Sequence, residues 1–405
     1  PEVRGLAEMV TLIGASGRAT LMGCRQTVRP HFAALVNGTG AVSLELDEGN
    51  QYAVNHPAVH ILPAALALAE EKKRSGAELL VAFIAGYEVA VRVGRATHLR
   101  EAVHPFGTHA IVGTAAAASR SLGLNVEQTV QAMNLAAGMC IASSQTAANT
   151  GASVRNLVTG LTNHNGLLAP LLVQAGFTAE PAALNVVFGH ILGDSFKDEG
   201  LSDDLGQEFY ITRNYFKIHA CSRWNHAPIE AMAALLARRP LRDEDVQKIT
   251  VWTYDPATRL SRNDPANGYA AKHSIPYNVA VRLVLGHNDL EAYSENIVCD
   301  PQIQAIARRV SVREDPKLTA MLPDVRPARV EVKLTNGNIL TESVERPRGG
   351  FDNPLTEDEL EKKFRHLTNM MLPSSSTAAL EEMVLNLPDL EDVTLLSPLL
   401  QGGKP

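Results

Sequence analysis

Apolar residues recur at helical spacing through most of the first half of the chain, and the pattern changes twice after that. Residues 57–176 read as successive helices. The stretch 63–70 is made of strong helix formers, and Pro63 suits a first turn. Within 77–93, Leu79, Leu80, Phe83, Ile84, Tyr87 and Val91 repeat with the helical period. Small residues dominate 113–121, which lets helices approach closely, and Asn125 with Gln128 has the spacing of a capping box. Near Tyr215 the pattern shifts. A helix-like run at 229–238 is followed by strand character at 249–251, and 329–334 alternates apolar and charged residues with period two. That alternation meets Asn336-Gly337, a hairpin turn signal, and 339–344 returns as the partner strand. Helical stretches lie around 278–285 and 303–309. After Gly349-Gly350 the chain is helical again, with a capping box at 356–359 and a terminal helix around 377–387.

The pattern therefore predicts a mainly α protein. Both chain ends, 1–214 with 349–405, build a large all-helical domain, and 215–348 forms an inserted, smaller α+β domain with an antiparallel sheet. A length of 405 residues fits about two domains. Apolar content carried by Ala, Leu and Val agrees with close helix packing, and a net charge of -7 gives no sign of a nucleic-acid surface. The cysteines at 24, 140, 221 and 299 are far apart, which argues against a zinc site or disulfide framework and suits the cytoplasm. No stretch reads as a signal peptide or membrane span. The chain opens on Pro1 inside a periodic stretch, so a preceding segment is expected.

Three clusters carry candidate chemistry. Glu45, Asp47 and Glu48 crowd into four residues ahead of His56-Pro57; carboxylates packed beside an imidazole can separate their proton affinities, as acid–base chemistry needs. An acidic solvated loop with His56 as a helix cap is the simpler structural account. His104 and His109 precede the small-residue helix, whose free N–H groups can hold an anion, though a structured turn with a buried histidine also explains them. Lys217, His219, Arg223 and His226 fall in one turn-rich stretch at the proposed domain boundary. Such a cationic patch suits a di- or tricarboxylate; a hinge paired with Asp203 and Asp204 is the alternative. Cys221 reads as a small buried thiol. Nucleotide-loop, HExxH and GxSxG motifs are absent, and His56 with His60 has no third ligand in sequence, so no metal is expected.

Taken in order, several segments resemble the MmgE/PrpD family along nearly the whole chain. They are 45–48, His56-Pro57, 63–70, Gly86-Tyr-Glu-Val, His104-Pro, Gly123-Leu124, Gly160, Gly166, Gly176-Phe-Thr, Ser274-Ile-Pro-Tyr277, Asn353-Pro-Leu and Lys363-Phe364. The resemblance implies an all-helical domain, an α+β lid, a homodimer and no metal or organic cofactor. Family activities include 2-methylcitrate dehydration, cis-aconitate decarboxylation and iminodisuccinate epimerisation, all on small polycarboxylates with a proton moved beside a carboxylate. By position, His56 and His104 match active-site histidines, Lys217 a pocket lysine, Tyr277 a pocket tyrosine, and Asp47 and Glu48 an acidic pair preceded by Glu45. The sequence departs from the family at Gly49 or Asn50, where a Thr is usual. It departs again at Arg155-Asn-Leu-Val158, where Lys-x-x-His is common, and at Ser222, where the decarboxylase has a histidine. These changes argue against cis-aconitate decarboxylation. The reading is a metal-free hydro-lyase on a hydroxylated di- or tricarboxylate. His56 and His104 serve as acid and base in an order left open, Arg155, Lys217, Glu45, Glu48, Ser222 and Arg223 bind substrate, Asp47 and Glu48 orient the histidines, and Tyr277 closes the pocket from the lid. An epimerase and a non-catalytic helical scaffold are the alternatives; the scaffold predicts that His56, His104 and Lys217 do not converge.

Overall fold

The computed structural model describes residues 1–13 and 16–402. Its first half packs long helices: α1 (Pro30–Ser43), α2 (Pro57–Lys72), α3 (Gly76–Ala96), α4 (Ala110–Leu122), α5 (Val126–Gly138) and α6 (Val154–Gln174). Asn125 and Gln128 cap α5 reciprocally as expected, and Ser75 with Glu78 does the same for α3. Helices α3 and α4 touch backbone to backbone: a Cβ on Gly86 would lie 2.6 Å from the Gly113 carbonyl.

Pro63 is not in a first turn. It lies inside α2, which starts at Pro57. An interior proline leaves the carbonyl four residues back without its donor and pushes the next turn outward. Both losses are repaired from neighbouring helices. Asn163 of α6 donates to the Val59 carbonyl at 2.9 Å and accepts from the Ala64 N–H at 3.0 Å, while Thr114 of α4 donates to the His60 carbonyl at 2.8 Å. The kink is thus tied to the two helices that flank it.

The segment after Tyr215 builds its own core around Ile229, Met232, Ile249, Val251, Ile275, Tyr277 and Ile303. Its helices α7 (His226–Arg238) and α8 (Ile275–Leu285) pack on a four-stranded sheet. The sheet is not purely antiparallel: β3 (Val246–Thr253) pairs in parallel with β4 (Val310–Glu314), while β5 (Ala328–Leu334) runs antiparallel to β3 and to β6 (Ile339–Val344). A long helical crossover between β3 and β4 permits the parallel pairing. The expected hairpin has Ala328 opposite Val344, with Val330, Val332 and Leu334 turned to the core and Gly337 at φ 87° in the turn.

Two features place the site. The short strands β1 (Glu48–Asn50) and β2 (Asn214–Phe216) pair antiparallel, Glu48 opposite Phe216 and Gly49 opposite Tyr215, which stitches the acidic segment to the basic cluster. After Gly350, helix α9 (Glu357–Thr368), capped by Thr356 and Glu359, and α10 (Ser374–Leu385) follow, and Lys363 of α9 returns to the same seam. The last segment packs back on α3, where the Gly76 N–H donates to the Leu390 carbonyl. No helix among the described residues is long and apolar enough to cross a membrane.

Candidate active site

Glu45 occupies a left-handed backbone conformation, φ 56°, that a glutamate adopts only where its surroundings hold it. The conformation drives its carboxylate inward between two cations. Arg155 of α6 pairs with one oxygen, and the Lys217 ammonium donates to the other at 2.5 Å. Lys217 also donates to Asp47 at 2.9 Å, and the other Asp47 oxygen lies 2.5 Å from His56 Nδ1. The same Nδ1 donates to the Glu48 carbonyl at 2.7 Å. An unbroken chain of charge therefore runs from Arg155 through Glu45, Lys217 and Asp47 to His56, all but its last ring fully buried. Burial alone would raise both carboxyls, but the adjoining cations outweigh it: Glu45 is held well below its ordinary range and Asp47 at about 2. Glu48 is the exception. With no cation in contact, burial lifts it to about 8, and its carboxyl shares a hydrogen bond with the Tyr87 hydroxyl.

A cavity of about 520 Å³ opens beside this chain, a size suited to a small ligand. His56, His104, Arg155, Tyr215, Ser222, Arg223, His273 and Arg326 are on its wall. Phe106 organises the imidazoles: His56, His60 and His104 stand edge-on to its ring at 4.8 to 5.0 Å, and the Arg155 guanidinium lies 4.1 Å above it. Burial lowers the proton affinity of His56, and of His104 further, Arg155 adding to the effect at His104, so both rings are neutral near pH 7. Their tautomers differ because the backbone dictates them. His56 Nδ1 faces the Glu48 carbonyl, which only accepts, so this nitrogen carries the proton and Nε2 keeps a lone pair. His104 Nδ1 accepts from the Phe106 N–H at 3.1 Å, so the proton sits on Nε2. His273 repeats the first arrangement, with Nδ1 donating to the Tyr269 carbonyl at 3.1 Å.

Comparison with known proteins falls on both halves of the chain: the MmgE/PrpD N-terminal domain matches residues 1–193, and the MmgE/PrpD C-terminal domain matches 219–389. The chain belongs to the MmgE/PrpD family. It is similar to the cis-aconitate decarboxylase of Aspergillus terreus, 28% identical across 95% of this chain and 83% of that protein. The human cis-aconitate decarboxylase is 27% identical across 100% of this chain and 86% of its own length. The 2-methylcitrate dehydratase of Escherichia coli K12 matches over 52% of this chain and 45% of its own, at 26% identity. Members of the MmgE/PrpD family are enzymes, and these relatives are lyases.

Against that family pattern, the structure redistributes the expected residues. His56, His104, Arg155, Ser222 and Arg223 are on the cavity wall. Lys217, Glu45 and Glu48, expected to touch substrate, are behind it: the ammonium and both carboxyls are buried in contacts with protein. Lys217 meets Asp47 rather than the Asp203–Asp204 pair. Tyr277 does not close the pocket. It is fully buried in the core of the α+β segment, where its hydroxyl donates to the Ala292 carbonyl. The departures also find reasons. A side chain on Gly49 would overlap the Tyr215 hydroxyl at 2.3 Å, so only glycine fits at that position. Val158 packs with Val42, Val59 and Phe106 behind the wall. His273, adjoining the recognised Ser274-Ile-Pro stretch, and Arg326 were missed; neither falls in a periodic segment. The turn after β2 and the start of α7 also bring His219, His226 and Glu230 within 4.8 Å of one another, the geometry of a cation site. Arg223 donates to His226 Nδ1, and the charges of Arg282 and Arg223 are felt at His219, so two guanidiniums compete with a cation for this cluster.

Proposed function

We propose that the protein is a lyase, a hydro-lyase that removes water from a small hydroxylated di- or tricarboxylate by taking a proton beside a carboxylate. The observation that carries the reading is the opposite protonation of two neutral imidazoles on one cavity wall. Elimination needs a base at carbon and an acid at the departing hydroxyl. His56, with its lone pair on Nε2, is the base; His104, with N–H on Nε2, is the acid. Asp47 faces Nδ1 of His56 and stabilises the imidazolium formed when the proton arrives, and Lys217 fixes Asp47. Arg155 meets the charge that spreads onto the substrate carboxylate as the carbon proton leaves. In this reading residues 215–348 act as a lid on a body formed by 1–214 and 349–405, in a cytoplasmic homodimer without metal.

His273 supports a second reading. A third imidazole with a free lone pair gives a second base, as an epimerase requires. Incubation with candidate acids in deuterated water separates the two. An alkene product marks the hydro-lyase; deuterium entering recovered substrate with inversion, and no alkene, refutes it in favour of epimerisation. Release of carbon dioxide marks decarboxylation, the activity named for the relatives matched along nearly the whole chain. His104→Ala abolishes turnover with little loss of thermal stability; unchanged turnover removes His104 from the chemistry.

A further inference from the structure

Two guanidiniums on the cavity wall have no acid to answer them. Arg223 and Arg326 are 6% and 8% exposed, and neither lies within 4 Å of a carboxylate among the described residues. Other cavity arginines are paired: Arg155 with Glu45, Arg100 with Asp194 at 3.6 Å, and Arg259 with Glu101 at 3.4 Å. Arg223 spends donors on the Arg348 and Pro347 carbonyls and on His226, while Arg326 spends one, on the Gln51 carbonyl at 3.0 Å. An arginine carries five N–H groups, so most donors of this cavity-lining Arg326 have no protein acceptor among the described residues. Two buried like charges on one cavity wall repel, Arg326 being among the charges felt at Arg223, and an anion between them relieves that repulsion.

The seat of Arg326 is built rather than incidental. Gln51 follows β1 directly, donates to the Asp324 carbonyl at 2.7 Å and accepts from Arg326, so two opposed hydrogen bonds fasten the loop before β5 to the acidic segment. The Arg223 guanidinium is held over the Tyr215 ring at 4.9 Å, and Ser222 precedes it on the wall.

We propose that Arg326 and Arg223 form a second carboxylate subsite, separate from Arg155, that restricts this enzyme to substrates with at least two carboxylates. The inference rests on the polycarboxylate reading above and adds the residues that count the charges. Arg326 is the specificity-determining member, contributed by a loop that no sequence motif marks. Monocarboxylates fill the Arg155 side alone and leave the guanidinium pair uncompensated.

The experiment measures binding of three unreactive probes, propane-1,2,3-tricarboxylate, succinate and butanoate, to wild type, Arg326→Gln and Arg326→Lys by calorimetry. Wild type binds the first two and neglects butanoate. Arg326→Gln weakens tricarboxylate and succinate by about tenfold or more, the loss expected for one hydrogen bond to a charged group, and Arg326→Lys recovers part of it. Circular dichroism of the unliganded variants shows that the loop change leaves the fold in place. Arg326→Gln binding the di- and tricarboxylate as tightly as wild type overturns the subsite while leaving the lyase reading intact. Wild type binding none of the probes overturns both.

Discussion

Replacing Glu48 with Gln tests the electrostatics of the site at its least expected point. The carboxyl is 7% exposed, touches no cation, and is held from its ordinary 4.5 up to about 8 by burial. It is therefore protonated at neutral pH, and an amide of the same shape can keep its contacts: the oxygen accepts from the Ala58 N–H, now at 3.0 Å, and the NH2 faces the Tyr87 hydroxyl. Because the folded chain holds this proton more tightly than the unfolded one, the contribution to stability is complete below about 4.5. It is lost as pH rises through 8. The full difference is worth roughly 5 kcal/mol, of which about 2–3 kcal/mol falls between pH 6 and 8. Urea denaturation of wild type and Glu48→Gln across pH 6 to 9 cancels the other titrating groups. The expected result is an advantage of about 2 kcal/mol for the variant at pH 6 that widens by about 2–3 kcal/mol toward pH 8, with kcat/KM at pH 7 within a few-fold of wild type. Parallel stability profiles refute the neutral carboxyl. A loss of kcat/KM above about tenfold would instead place Glu48 against the substrate, as its sequence position suggested.

The remaining predictions follow the charge chain outward. Asp47→Asn removes the carboxylate facing His56 but leaves the Glu48 carbonyl to hold the ring, so kcat falls by about 10- to 100-fold rather than the larger loss seen where the tautomer is freed. Burial lowers His56 and Asp47 opposes it, so the acid limb of the kcat/KM profile moves to lower pH in this variant; an unmoved limb separates Asp47 from the base. Lys217→Met strands Glu45 and Asp47 in the interior and costs about 3–5 kcal/mol of stability in chemical denaturation, whereas a wall lysine would cost little. Lys363 of α9 donates to the Leu46 and Lys217 carbonyls at 2.6 and 2.8 Å, bracing both strands that carry the chain. Lys363→Met lowers kcat by about tenfold with KM little changed, and Lys363→Arg restores part of it; an effect confined to KM contradicts the bracing role.

What the sequence made legible was whatever had a period or a local partner. The alternation at 329–334 with Asn336-Gly337 yields the β5–β6 register, and the Asn125 and Thr356 caps mark helix starts, because each is settled within a few residues. The acidic segment and His104 were found by charge and by family order. Strands β1 and β2 were not, since three residues cannot display a period, and their pairing is decided 166 positions apart by the Gly49–Tyr215 approach. Pro63 was misplaced for a similar reason: only Asn163 and Thr114, on other helices, make an interior proline tolerable. Tyr277 and Lys217 were read onto the wall because family order placed them in the pocket and, for Lys217, because a cationic cluster suggested a carboxylate site. Burial inverts that inference when protein atoms already satisfy the tip, as the Ala292 carbonyl and the Glu45–Asp47 pair do.

The position of Lys217 explains why the cavity has spare positive charge. Glu45 and Asp47 carry two negative charges and Arg155 and Lys217 two positive ones, so the chain behind the wall is neutral as a whole. Its cost in desolvation is met by mutual pairing, and its role is to fix ring geometry rather than to attract substrate. If Lys217 reached the wall instead, Asp47 would ionise less readily and His56 would lose its orienting anion. Keeping that lysine inside leaves attraction to groups with no carboxylate partner among the described residues, Arg223 and Arg326, beside neutral imidazoles whose protons the backbone has already assigned. Orientation and capture are thereby given to different residues, and an anionic substrate can neutralise the wall without disturbing the chain that holds the base.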